Sequence, residues 1–129
     1  SVFNSEYKYL NAAAFGISGD LSMHLLWRLA NGELPLDLQV QVIVLLIGTN
    51  DLGRAEVKRS SQETSASIKA IVKYIRATHP ETFVVLHPIF PRGSPEERAQ
   101  GSDGLMSEIE AVNLELKQSY NIEGGDEMT

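Results

Sequence analysis

The run Val42-Ile43-Val44-Leu45-Leu46-Ile47 gives way at once to Gly48-Thr49-Asn50-Asp51. Six apolar residues, mostly β-branched, favour a strand. Alternation is limited to Val40-Gln41-Val42 at its start. Residues 39–47 therefore read as a strand covered on both faces, as in a parallel sheet flanked by helices. The abrupt change of character places a carboxamide and a carboxylate where that strand ends. In open α/β sheets this is where ligands gather.

The rest of the chain fits around such a strand. Asn11-Ala12-Ala13-Ala14-Phe15-Gly16-Ile17 is small and apolar and predicts a short buried strand. It runs into a tight loop, Gly16-Ile17-Ser18-Gly19-Asp20. Leu21, Leu25 and Leu29 share one face of a helix over 21–34, with Asn31-Gly32 as its stop. Residues 52–61 are polar and read as a loop. Ile68, Ile71, Val72 and Ile75 mark an amphipathic helix over 65–78, ended by His79-Pro80. Residues 82–89 form another β-rich run, interrupted by Pro88. Residues 90–103 read as a long loop. Leu105, Ile109, Val112 and Leu116 line one face of a helix over 104–120. The tail, 121–129, begins like a strand at Ile122 and dissolves into Gly-Gly-Asp-Glu. The order β-α-β-α-β-α predicts a layered α/β domain with a parallel sheet. Residues 1–129 form one domain.

Composition removes several function classes. The net charge is −6, and Lys58-Arg59 is the only adjacent basic pair. A nucleic-acid surface needs a basic patch, so this balance argues against one. There is no cysteine, hence no thiolate nucleophile and no cysteine metal site. No apolar run has the length of a membrane span. The chain starts Ser-Val-Phe, without an initiator methionine.

Two glycine-bearing loops follow the first two strands. Glycine lets a backbone N–H approach a ligand closely. An N–H from 16–20 and the Asn50 carboxamide could converge on one oxygen, the hardware for stabilising an oxyanion in acyl transfer. Simpler readings stand beside this one. Asn50 could close a turn, and Gly19 could serve only a positive φ. Asp20 is expected to cap the helix at 21, and Asp51 to organise its loop. His24 and His79 read as structural, whereas His87 ends a strand and could face the site. No spacing of His, Asp and Glu suggests a metal, and no cofactor is implied.

Taken together, Phe15-Gly16-Ile17-Ser18-Gly19-Asp20 and Gly48-Thr49-Asn50-Asp51 resemble the glycine and asparagine blocks of the SGNH (GDSL-type) hydrolases. The likeness is greatest to catalytic subunits of the platelet-activating-factor acetylhydrolase type. Gly19 and Asn50 stand 31 positions apart. His24-Leu25-Leu26-Trp27-Arg28-Leu29, Asn31-Gly32-Glu33-Leu34, Pro91-Arg92-Gly93 and Val112-Asn113-x-x-Leu116 extend the likeness over most of 11–122. The resemblance implies a flavodoxin-like three-layer α/β/α fold with a parallel sheet, and a serine esterase activity on an acyl or acetyl ester of a lipid or sugar. It implies that Gly19 donates its backbone N–H, and Asn50 its side-chain amide, to the oxyanion. Some relatives dimerise, so a homodimer is compatible with it.

The family's nucleophile lies in a Gly-Asp-Ser motif, and its base in an Asp-x-x-His motif. Neither motif occurs in these 129 residues. A serine hydroxyl without a base is a poor nucleophile. The expectation is therefore an incomplete SGNH domain, truncated at both ends, inactive by itself, within a parent ester hydrolase. The alternative is a non-catalytic SGNH-like binding or scaffold protein. A nucleotide-phosphate loop at Gly16-x-x-Gly19 is a third reading, but it lacks the three-glycine pattern and the Lys-Ser/Thr ending.

Overall fold

The computed structural model describes residues 2–99 and 104–120. Helix α1 covers Val2–Tyr7 and passes into a 3-10 turn, Lys8–Leu10. Helix α2, Ser22–Arg28, loosens into a π-turn over Leu29–Glu33. Strand β1 is Val42–Leu45, helix α3 Thr49–Gly53, and helix α4 Ser61–Thr78. Strand β2 is Phe83–Leu86, followed by the short helix α5, Pro95–Ala99, and by α6, Met106–Ser119.

The two strands are parallel neighbours, with Val42 opposite Phe83 and Leu45 opposite Leu86. Parallel pairing demands a long crossover, which α3 and α4 supply. The architecture is thus α/β with a small parallel sheet, as expected.

The helical periodicities place the core. Ile68, Ile71, Val72 and Ile75 of α4 meet Ile109, Val112 and Leu116 of α6, all buried. Leu25 and Leu26 of α2, and Leu29 just beyond it, pack against the same cluster. Each such side chain contributes roughly 1.5–3 kcal/mol on burial. From the sheet, Ile43, Leu45, Val84 and Leu86 join this core.

Side chains alternate along a strand, so their neighbours face the other way. Val42 is 52% exposed, Val44 66% and Phe83 44%. The expectation that 39–47 is covered on both faces is therefore corrected. Among the described residues the core packs on one face only. An unbroken apolar run does not reveal whether both faces find a partner.

The strand expected over 11–17 is also corrected. Residues 12–17 take no regular structure, and Ala12, Ala13, Ala14 and Phe15 are exposed. A strand exists through a neighbour's N–H and C=O groups. Among the described residues no strand lies beside this segment, and the sheet has two strands rather than three.

Helix α4 starts at Ser61, earlier than the apolar period suggests. Ser60 Oγ accepts from the Glu63 N–H at 3.1 Å, and the Ser60 N–H donates to Glu63 Oε2 at 2.9 Å. That reciprocal capping box fixes the start. Helices α3 and α5 occupy stretches expected as loops. The strand stump expected at Ile122 lies outside the described residues.

Candidate active-site loops

Gly48 turns the chain from β1 into α3. Its φ is +116°, and a Cβ there would lie 2.8 Å from Ile89 Cδ1 and 3.0 Å from Ile68 Cδ1. Both the dihedral and the space require glycine. The turn sets Thr49, Asn50 and Asp51 in the first turn of α3, where neighbouring residues point in different directions.

Asp51 points inward and is fully buried. Its Oδ2 accepts from the Ser22 N–H at 2.9 Å, and its Oδ1 from the Ser22 hydroxyl at 2.5 Å. Arg59 Nη1 lies 3.7 Å from Oδ1, and the Arg59 N–H donates to the Asp51 carbonyl at 2.8 Å. Ser22 is the first residue of α2, so a distant carboxylate satisfies one of that helix's open N–H groups. Its negative charge also suits the positive end of the helix dipole.

Asp20 does not cap this helix, contrary to expectation. The Leu21 N–H instead donates to His24 Nδ1 at 3.3 Å. Asp20 is drawn away to Arg28, which also pairs with Glu33 and donates to the Phe15 carbonyl at 3.1 Å. Desolvation pulls the Arg28 pKa down, but hydrogen bonds to Asp20 and Glu33 outweigh it and hold the guanidinium above its ordinary value. A fixed cation thus straps the 16–20 loop to α2.

Asn50 faces the same loop. Its Nδ2 donates to the Asp20 carbonyl at 3.0 Å, which brings the carboxamide to within one residue of Gly19. An amide carries two N–H bonds, so one is left for another acceptor. Gly19 has φ +85°, and a Cβ there would meet nothing within 4 Å. Its carbonyl accepts from Arg54 Nη1 at 3.3 Å. Among the described residues its N–H has no acceptor. The two loops thus offer neutral donors.

The histidines stand apart from this pair. His79 is buried, with Nε2 2.9 Å from the Pro35 carbonyl and Nδ1 2.8 Å from Thr78 Oγ1. His24 lies 3.9 Å from Asp20 and supports the start of α2. His87 Nδ1 lies 2.7 Å from the Pro88 carbonyl, and its ring sits 4.7 Å from Phe90. Among the described residues no hydrogen bond links His87 to Gly19, Asn50 or Asp51.

Ser22, Arg54 and Arg92 escaped sequence reasoning. Arg92 Nη1 donates to the Thr49 carbonyl at 3.1 Å and lies 3.3 Å from Thr49 Oγ1. These partners are distant in sequence, and no local pattern announces them. The one available signal for Arg92 is its place in Pro91-Arg92-Gly93, a loop that follows a strand.

Comparison with known proteins bears on the whole of this arrangement. Residues 2–124 match the model of the GDSL-like lipase/acylhydrolase family. The chain is 30% identical over 127 residues to platelet-activating factor acetylhydrolase IB subunit alpha2 of Rattus norvegicus, covering 96% of this chain and 53% of that protein. The alpha2 subunit of Homo sapiens is 30% identical over 113 residues, 88% of this chain and 47% of its own length. The alpha1 subunit of Bos taurus is 35% identical over 92 residues, 71% of this chain and 37% of its own length. The chain spans about half the length of the alpha2 relatives it matches. A match reaching from the first helix past the last, over an α/β scaffold of the expected kind, is decisive: the chain belongs to the GDSL-like lipase/acylhydrolase family.

Proposed function

We propose that the 16–20 and 48–51 loops form the oxyanion-stabilising part of a serine carboxylic-ester hydrolase. The Gly19 backbone N–H and the second N–H of the Asn50 carboxamide are its donors. The observation that carries this reading is the 3.0 Å bond from Asn50 Nδ2 to the Asp20 carbonyl, which seats the carboxamide beside Gly19. When a nucleophile adds to an ester carbonyl, negative charge collects on the oxygen. Donors already aimed at that oxygen lower the barrier without reorganising. Neutral donors suit this task, because they stabilise the developing charge without giving up a proton. The nucleophilic serine and its Asp/His base belong to segments outside these residues, so the 129-residue chain alone is inactive. The substrate is a small acyl or acetyl ester, and the domain is one incomplete SGNH unit.

The alternative is a binding or scaffold protein built on the same fold. The absence of Gly-Asp-Ser and Asp-x-x-His from the sequence favours it. One experiment separates the two readings. The chain is expressed together with the segments that flank it in its reading frame, and hydrolysis of p-nitrophenyl acetate is measured. The ester-hydrolase reading expects turnover that falls about 10²–10³-fold in kcat for Asn50→Ala, with KM little changed. An active protein indifferent to Asn50→Ala removes the oxyanion role. Flanks without serine, base or turnover establish the binding reading.

A further inference from the structure

The backbone N–H, the carbonyl and the carboxylate of Asp20 are all engaged. Its N–H donates to the Ile17 carbonyl at 3.1 Å, closing a turn inside the 16–20 loop. Its carbonyl accepts from Asn50 Nδ2 at 3.0 Å, and its carboxylate accepts from Arg28 Nη2. Gly19 stands directly before it, with φ +85°. The direction of the Gly19 N–H and the place of the Asn50 carboxamide therefore both follow from how Asp20 is held.

Arg28 is the last residue of α2, and its guanidinium reaches back along that helix to the loop before it. Nη1 donates to the Phe15 carbonyl at 3.1 Å, at one end of the loop, while Nη2 pairs with the Asp20 carboxylate at the other. Nη1 also pairs with Glu33, just beyond α2. One planar fork thus clips both ends of the loop to the helix. The loop has few rival restraints. Residues 12–17 take no regular structure, and Arg54 reaches the Gly19 carbonyl from an exposed side chain. The Arg28–Asp20 pair is largely withdrawn from water, with 16% and 12% of the two side chains exposed. Salt and solvent screen a pair in that setting much less than a surface one. Its place at the C-terminal end of α2 also suits a cation. Lysine would keep the charge but not the fork, since its ammonium is a point donor.

We propose that Arg28 is a positioning residue for the oxyanion-stabilising loops: by holding Phe15 and Asp20 together, it sets the Gly19 N–H and the Asn50 carboxamide in register with one another. The catalytic consequence rests on the ester-hydrolase reading; the positioning itself does not. The chain is expressed with the segments that flank it in its reading frame, and two properties are measured. One is hydrolysis of p-nitrophenyl acetate. The other is the set of NMR resonances from the Gly19 amide and the Asn50 side-chain amide. Arg28→Gln and Arg28→Lys are both expected to shift these resonances and to lower kcat about tenfold or more, with KM little changed. Ile71→Val is the control for stability alone. It loosens the buried helical core, so it should lower the melting temperature while leaving the resonances and kcat as in the wild type. Resonances that hold still in both Arg28 variants, or that move as far in Ile71→Val, overturn the positioning role. An Arg28→Lys protein that matches the wild type overturns it as well, because charge without the fork would then suffice. Shifted resonances with unchanged kcat overturn the catalytic consequence. If the flanked protein has no turnover, or if Asn50→Ala leaves turnover intact, the ester-hydrolase reading fails, and the resonances still decide the role of Arg28.

Discussion

The Asp51 carboxylate grips Ser22 by both its backbone N–H and its hydroxyl, at 2.9 and 2.5 Å, across 29 positions of sequence. The grip joins the start of α2 to the start of α3. Asn50 and the 16–20 loop lie on either side of it, so the carboxamide and Gly19 inherit their spacing from a buried ion that touches neither.

Removing that ion leaves two buried donors unsatisfied. Asp51→Ala is expected to cost roughly 3–6 kcal/mol, taking about 1.5–3 for each hydrogen bond to a charged group. Ser22→Ala keeps the backbone bond and should cost about 1–3 kcal/mol. Urea unfolding measures both. A loss below about 1 kcal/mol for Asp51→Ala would show that the buried carboxylate is not structurally required.

Gly48 and Gly19 both hold positive φ, but their surroundings differ. Gly48→Ala drives a methyl against Ile89 and Ile68, whereas Gly19→Ala meets open space. Both carry the left-handed penalty of about 1–2 kcal/mol. Gly48→Ala adds overpacking of about 1–3 kcal/mol. Urea midpoints should therefore rank Gly48→Ala well below Gly19→Ala, and equal midpoints would refute the steric argument.

Much of this was readable from sequence because it is local. Apolar spacing placed α2, α4 and α6, and β-branched runs placed β1 and β2. Ser60-x-x-Glu63 could have placed the start of α4, since a capping box is a four-residue pattern. What was not readable depends on partners. Residues 12–17 look like a strand, yet a strand is made by its neighbour. Val42 and Val44 look buried, yet burial depends on what covers them. Asn50 and Gly19 could be singled out as candidates, but Ser22 could not, because serine near a helix start has many meanings and its partner lies 29 positions away.

Two carboxylates make stability depend on acid. Glu63 is held below its ordinary range, chiefly by the Ser60 backbone N–H and then by the Ser60 hydroxyl. Glu115 is lowered chiefly by the hydrogen bond from Lys69 Nζ, at 2.7 Å. With both pKa values depressed on folding, the unfolded chain binds more protons in the acid range. Their contribution is complete above the unfolded value of about 4.3 and is lost as pH falls through the folded values. Glu115→Gln and Glu63→Gln should each flatten the fall in stability below about pH 5, by lowering stability near neutrality and changing little in acid, where the carboxylate is already protonated. Urea titrations across that range test this, and slopes unchanged in both variants would show that these carboxylates play no part in it.

The open face of the sheet sets the behaviour of the isolated chain. Val42, Val44 and Phe83 present apolar surface side by side, because the register puts Val42 opposite Phe83. Each strand has a single neighbour, so among the described residues each keeps an edge without a ladder partner. Apolar faces and open edges of this kind recruit other chains. We expect the 129-residue chain to self-associate with rising concentration in sedimentation velocity. Val44→Lys should move it toward monomer while changing stability by no more than about 0.5 kcal/mol, since the side chain is 66% exposed. A defined homodimer that survives Val44→Lys would place association on another surface. A monodisperse wild-type monomer at high concentration would mean that this face does not drive association at all.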